Sequence, residues 1–321
     1  MGTAVDIYKK SFITRYDDNG FIKYYSAADF PGLEDAPCSF RSGENTLSGH
    51  FYSYPGAGGT LVVFSHGIGG GHRSYMREIE KLCSAGYTVF AYDCTGCFES
   101  EGRDIRCMGQ SLADLDAAFG FLETQGHLAR FERVCAMGHS WGGYAAANIA
   151  SCREGIDRAV VLSGFNSVES MLTGMLRGAN GILGRAALND ILSYEKRMLP
   201  DYYGAQAVDS VLTGRTKYLF IQSDDDRKVS PGRNFVYIKM RCAGSDARFI
   251  ICHGKNHNPN YTKDAVRYMD RVFGGFTLRS KLGLLGTIEK KKAYFKDTDW
   301  ERMTRQDDDV WNEILSFLAK K

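Results

Sequence analysis

No run of apolar residues in this sequence approaches the roughly 18 that a membrane-spanning helix needs. The first ten residues, Met1 to Lys10, contain no apolar signal core. Neither sign of charge dominates. Forty Lys and Arg against 38 Asp and Glu leave a formal +2, which argues against a nucleic-acid or membrane partner held by bulk charge. Proline is scarce, at six residues. There is no low-complexity tract and no internal repeat. With 44 % hydrophobic and 24 % charged residues, the composition excludes a disordered, collagenous or coiled-coil chain. The nine cysteines are an odd number, scattered through periodic segments, and suit reduced thiols in a cytoplasmic setting better than a disulfide framework. Cys94 and Cys97 have the spacing of a metal or redox pair. No second pair accompanies them, so no metal and no cofactor are expected.

What the 321 residues do contain is a series of short apolar runs without alternation. They are Leu61–Phe64, Tyr87–Tyr92, Val134–Met137, Ala159–Leu162, Tyr218–Ile221 and Arg248–Cys252. Such runs suit strands buried on both faces of a parallel sheet. Helical patterns separate them. Tyr75, Ile79, Leu82 and Cys83 share a face, as do Leu112, Leu115, Phe119 and Leu122. The alternation predicts a doubly wound α/β sheet. Before it, Phe12–Tyr16 and Phe21–Tyr25 flank Asn19-Gly20 and predict a β-hairpin within an N-terminal extension, residues 1–37. The core is expected over 38–165 and 216–273. Between these, 166–215 is too long for a simple connection and rich in Met171, Leu172, Met175, Leu176, Leu192 and Tyr202. It predicts an inserted helical cap. Residues 274–321 predict a helical extension packed on the core, ending in an amphipathic segment with Trp311, Ile314, Leu315 and Leu318 inward.

Chemistry-bearing residues gather at strand ends. Gly138-His139-Ser140-Trp141-Gly142 follows the strand Val134–Met137 and precedes a helical pattern. This G-x-S-x-G needs its glycines because the serine sits on a strained turn crowded by neighbouring backbone. Ser65-His66-Gly67-Ile68-Gly69-Gly70-Gly71 follows the strand Leu61–Phe64 and can aim backbone N–H groups into a cleft. It lacks the Gly-Lys-Ser/Thr of a phosphate-binding loop. Asp224-Asp225-Asp226 follows another strand and can orient a histidine. His253 and His257 follow the last, and either can act as a base.

Together these pieces resemble an α/β-hydrolase fold enzyme, in the branch of serine aminopeptidases and monoglyceride-lipase-type esterases. The resemblance covers about Phe40 to Phe273. Tyr92-Asp93-Cys94-Thr95-Gly96-Cys97-Phe98-Glu99-Ser100-Glu101-Gly102 is similar to that branch's D-x-x-G-x-G-x-S-x-G loop, with Phe98 standing where glycine is usual. The resemblance implies an α/β-hydrolase fold: a mostly parallel sheet of about eight strands with a small helical cap. It implies Ser140 as nucleophile, Asp226 as acid and His257 as base. The acid falls on Asp226 because the family places it three residues after a small residue, here Ser223, and three before Val229. The backbone N–H groups of Ile68 and Trp141 would form the oxyanion hole. His66, Gly67, His139, Met171 and Met175 are expected to line the substrate. The expected reaction is acyl transfer from a small ester or amide to water. An acyl acceptor other than water, or an aminopeptidase reaction using an acid in the cap such as Glu169, Asp190, Glu195, Asp201 or Asp209, are the alternatives. A non-catalytic receptor is disfavoured by the three polar residues together.

Overall fold

The computed structural model describes residues 3–175 and 182–320. In chain order the elements are α1 (Ala4–Phe12), β1 (Glu34–Ser42), β2 (Asn45–Ser53), β3 (Thr60–Ser65), α2 (Met76–Ser84), β4 (Thr88–Tyr92) and α3 (Gln110–Thr124). Then come β5 (Arg133–His139), α4 (Trp141–Asn148), β6 (Arg158–Leu162), α5 (Val168–Met175), α6 (Ile182–Met198), α7 (Pro200–Tyr203) and α8 (Ala207–Thr213). The chain closes with β7 (Lys217–Ser223), α9 (Phe235–Arg241), β8 (Arg248–Cys252), α10 (Lys263–Lys281), α11 (Ile288–Phe295), α12 (Trp300–Met303) and α13 (Asp308–Ala319).

The eight strands form one sheet in the order β1-β2-β4-β3-β5-β6-β7-β8. β1 and β2 enter antiparallel, and every pairing from β4 to β8 is parallel. The non-alternating runs have their cause here. Along β3, Leu61 and Val63 pack into the core on one face with α3 and α4. Val62 and Phe64 pack on the other, with α2 and α13. A strand between two helical layers has no solvent side on which to place polar residues.

Between β6 and β7 the described residues form four helices, α5 to α8. Residues 176–181 in the middle of this insertion, with Leu176, lie outside the described residues.

Two sequence expectations are corrected. The N-terminal segment contains no hairpin. Thr3 caps α1 in a reciprocal box with Asp6, and α1 packs on α6. Residues 14–16 pair instead with the 96–105 loop: the N–H of Tyr16 donates to the Gly96 carbonyl and that of Phe98 to the Tyr16 carbonyl. The aromatic residues that mimic a second strand are taken elsewhere. Phe21 stacks on Phe276 and Phe295, Tyr24 meets Phe98 edge-on, and Tyr25 lies under the Arg77 guanidinium. The expected boundary at 273 falls inside α10. Within that helix, a Cβ on Gly275 would lie 2.5 Å from the Tyr294 hydroxyl. The glycine lets α11 pack close against a continuous helix.

Candidate active site

β5 delivers Ser140 through a sharp turn into α4. Ser140 has φ 57°, ψ −112°, in the strained left-handed half of the backbone map. The turn is possible because nothing projects from its glycines. A Cβ on Gly138 would collide with the Gly142 carbonyl, and one on Gly142 with the Ser65 carbonyl. The strain is locked from both sides: the Ser140 N–H donates to the Leu162 carbonyl at 2.8 Å, and the Ser140 carbonyl accepts from the Tyr144 N–H at 2.9 Å.

Three candidate side chains meet. Ser140 Oγ lies 2.7 Å from His257 Nε2, and His257 Nδ1 lies 2.8 Å from Asp226 Oδ2. All three residues are buried. Asp226 also accepts from the backbone N–H groups of Lys228 and Val229 and from the Gln222 amide. Burial pushes its pKa up. The imidazole and the backbone donors outweigh burial and hold the carboxyl below its ordinary range. The other acids and the other histidine are occupied apart from this site. Asp224 pairs with His253 at 2.6 Å, and Asp225 accepts from Ser223 and from the Asn256 N–H.

The Gly-rich turn abuts the serine. A Cβ built on Gly67 would stand 3.4 Å from Ser140 Cβ, so Ile68 follows beside the nucleophile. Trp141 is the first residue of α4, and its N–H has no partner within the helix. Its indole N–H donates to the Met108 carbonyl at 2.6 Å. Asp93 joins this turn to the 94–102 loop by accepting from the backbone N–H groups of His72 and Glu99.

Three expected substrate contacts are placed differently. The His66 ring is fully buried. Its Nδ1 bonds the Gly67 carbonyl and its Nε2 accepts from the Cys94 N–H, which leaves it nothing for a ligand. It pins the turn. His139 is likewise enclosed: Nε2–H donates to the His257 carbonyl at 2.7 Å and Nδ1 accepts from the Tyr75 hydroxyl at 2.8 Å. Burial, with the neighbouring His257, drives the His139 pKa down to about 3, so this ring is neutral. Met175 faces away from the acid loop, into an apolar cavity of about 260 Å³ shared with Ile7, Tyr8 and Ile191. Met171 does line a cavity of about 320 Å³ with Asp226, Lys228 and Pro231.

Sequence reasoning missed Tyr75 as a site residue and weighed Glu195 only as an amine-binding acid. Tyr75 accepts from the Gly67 N–H at 3.1 Å while donating to His139. One unbroken chain therefore runs from the Gly67 turn to the His257 loop. Glu195, on α6, is buried and accepts from Tyr8 Oη at 2.6 Å and from the N–H groups of Met108 and Gly109. Tyr75 belongs to no motif. Glu195 left a signal, an acid within an apolar insertion, that does not reveal its partners. The nine cysteines are free: seven buried, Cys38 half-buried and Cys152 exposed. Burial raises the thiols of Cys94 and Cys97 well above their ordinary range, so they stay protonated. Among the described residues no three His, Cys, Asp or Glu side chains gather as a metal site, and no helix is long and apolar enough to cross a membrane.

The sheet order, the strained serine turn and the strand-end site define an α/β-hydrolase. Residues 62–279 match the alpha/beta hydrolase family, to which this chain belongs. Among curated proteins it is 27 % identical over 205 residues to the dihydrolipoyllysine-residue acetyltransferase component of the acetoin cleaving system of Cupriavidus necator, covering 56 % of this chain and 51 % of that one. It is 36 % identical over 115 residues to a 2-hydroxy-6-oxononadienedioate/2-hydroxy-6-oxononatrienedioate hydrolase of Pseudomonas putida, covering 34 % of this chain and 37 % of that one. The chain thus spans about half or less of these relatives' lengths. Among solved structures, a Pyrococcus furiosus esterase superposes with a TM-score of 0.58 at 16 % identity, over 89 % of this chain and 97 % of that one. Est1E of Butyrivibrio proteoclasticus, solved with ferulic acid bound, gives 0.52 at 15 %, over 75 % and 98 %. At such identities the likeness is one of fold.

Proposed function

We propose that the protein is a serine hydrolase that cleaves a carboxylic ester of a small, hydrophobic substrate through an acyl-enzyme. The observation that carries this reading is the continuous contact from Ser140 Oγ through His257 to Asp226. His257 Nε2 takes the Ser140 proton as Oγ bonds the carbonyl carbon. The oxyanion that forms sits against the backbone N–H groups of Ile68 and Trp141, at the N-terminus of α4. Asp226 holds the imidazole with Nδ1 protonated and stabilises the cation. The proton passes from His257 to the departing alcohol, and the acyl group stays on Ser140. Water then gives a proton to His257, attacks the acyl carbon and restores the serine.

Met171 and Pro231 are the apolar members of an otherwise polar cavity beside the acid loop, and they would meet the apolar portion of the substrate. An aminopeptidase would want a free acid in the insertion to take the substrate amine. Glu195, its buried acid, is occupied by Tyr8 and the 108–109 backbone and is not free to do so, whereas Glu169, Asp190, Asp201 and Asp209 stand exposed.

Fluorophosphonate labelling read by peptide mass spectrometry tests this proposal. The folded protein should label at Ser140, and Ser140→Ala should abolish labelling and lower ester turnover by at least roughly 10⁴-fold. Folded protein that stays unlabelled, or labelling that survives Ser140→Ala, would overturn it. A p-nitrophenyl ester series of increasing acyl length then measures how much apolar chain the site takes.

A further inference from the structure

Four large aliphatic side chains stand exposed within eleven residues of one another: Leu278, Leu282, Leu284 and Ile288, between 41 % and 64 % exposed. A single surface leucine needs no explanation. Four on one turn form a patch of the kind that marks an interaction site.

The turn that carries them, between α10 and α11, is a built element. α10 ends at Lys281 with Leu282 as its cap, and Gly283 follows at φ +72°. The Gly283 N–H donates to the Ser280 carbonyl at 3.0 Å and the Leu284 N–H to the Arg279 carbonyl at 2.9 Å. This is the left-handed cap in which the residue after the glycine comes back beside the helix's last turn. Leu285 is buried beneath it. Behind the turn the helices are clamped: Phe276 of α10 packs on Phe295 of α11 with Phe21 stacked on both, and Tyr294 Oη donates to the Val272 carbonyl at 2.7 Å. The apolar tip is therefore held out into solvent by a rigid base, so docking it costs little ordering entropy.

Charge indicates what the tip meets. Residues 271–296 carry seven Lys and Arg and a single acid, Glu289, a local +6 in a chain whose total is +2. Lys281 adjoins Leu282, and Lys290 and Lys292 follow Ile288; all three are exposed. Such a collar opposes a second copy of the same tip. It complements a surface that is apolar inside and negative at its rim, as an anionic bilayer is.

We propose that the α10–α11 tip docks on membranes containing anionic lipid, with Leu282 and Leu284 among the acyl chains and Lys281, Lys290 and Lys292 at the phosphate level. α10 has 19 residues and starts from the Thr262 cap, just past the His257 loop. At 1.5 Å per residue it holds that loop about 28 Å above the tip. Docking therefore tethers the molecule without submerging Ser140, and it does not depend on the hydrolase reading.

Co-sedimentation of the full chain with vesicles tests this. Binding is expected to vesicles of phosphatidylcholine with added phosphatidylserine, and not to phosphatidylcholine alone. A Leu282→Asp/Leu284→Asp pair should weaken it at least about tenfold, and so should Lys290→Glu/Lys292→Glu. All four positions are exposed, so thermal melting and Ser140 labelling should be unchanged; these readouts separate lost docking from lost folding. No binding to the anionic vesicles overturns the proposal, as does equal binding to neutral ones or indifference to both variant pairs. A dimer on sizing that Leu282→Asp/Leu284→Asp dissolves would make the tip a copy-to-copy interface, and would also overturn it.

Discussion

The Tyr75 hydroxyl ties two loops together. It accepts from the Gly67 N–H, beside the expected oxyanion donor Ile68, and donates to His139, whose other nitrogen holds the His257 carbonyl. The distance between base and oxyanion donors is thus set by one tyrosine and one neutral histidine. Tyr75→Phe keeps the ring and removes the link. Ester turnover should fall about tenfold in kcat with KM little changed, since only transition-state alignment suffers. Asp226→Asn should cost far more, roughly 10⁴-fold in kcat, by presenting the wrong imidazole tautomer. His139 also makes a prediction about pH. Its folded pKa of about 3 lies below the ordinary value near 6.5. Between these values the unfolded chain binds the proton and the folded one does not, so stability falls as pH drops from about 6.5 toward 3. One such group contributes a slope of about 1.4 kcal/mol per pH unit. His139→Gln should remove that much slope from denaturant-derived stability between pH 6 and 4, so whatever the variant loses at pH 6 should shrink by about 2.8 kcal/mol at pH 4. None of this was legible beforehand. The motif around Ser140 names its neighbours along the chain. It is silent about a tyrosine 65 residues away that reaches His139 only through the fold.

Among the elements, the N-terminal strap shows why the hairpin expectation fails. Alternating aromatics flanking Asn19-Gly20 satisfy the local rule for a hairpin, but each aromatic has a better partner elsewhere. The strap is sewn to the 96–105 loop by backbone bonds and by Arg15, whose guanidinium donates to the carbonyls of Phe98, Ser100 and Gly102. Phe98, where the family's loop usually has glycine, accepts a φ of 43° to place its ring against Tyr24. Phe98→Gly would relieve about 1–2 kcal/mol of left-handed strain. It would lose about 3–5 kcal/mol of buried ring. The net expectation is destabilisation by about 2 kcal/mol, with faster proteolysis of residues 13–25 as the more specific readout. The departure from the motif, visible in the sequence, has its cause in an extension outside the family's shared core.

For the molecule as a whole, the sheet was the legible part. Runs such as Leu61-Val62-Val63-Phe64 admit few environments other than a doubly covered strand. The covering helices were less so. α13 was foreseeable from its apolar face. What that face closes, the side of the sheet lined by Val62, Phe64 and Leu219, depends on topology. Trp311 sits in that layer, 1 % exposed, with its indole N–H on Gln306. Trp311→Ala should cost about 3–5 kcal/mol in chemical unfolding. The loss should appear as a lower midpoint for the whole molecule, because both layers share one sheet.

The distribution of thiols gives the molecule a single address. Of nine cysteines only Cys152 is exposed, in the chain just after α4, the helix that Ser140 caps. Burial lifts its pKa above the ordinary thiol value, so the thiolate is scarce at neutral pH. A maleimide dye added at mildly alkaline pH would mark this one site on the unaltered chain. It would turn the far end of the serine's own helix into a reporter of what happens at the near end, with no cysteine to remove first.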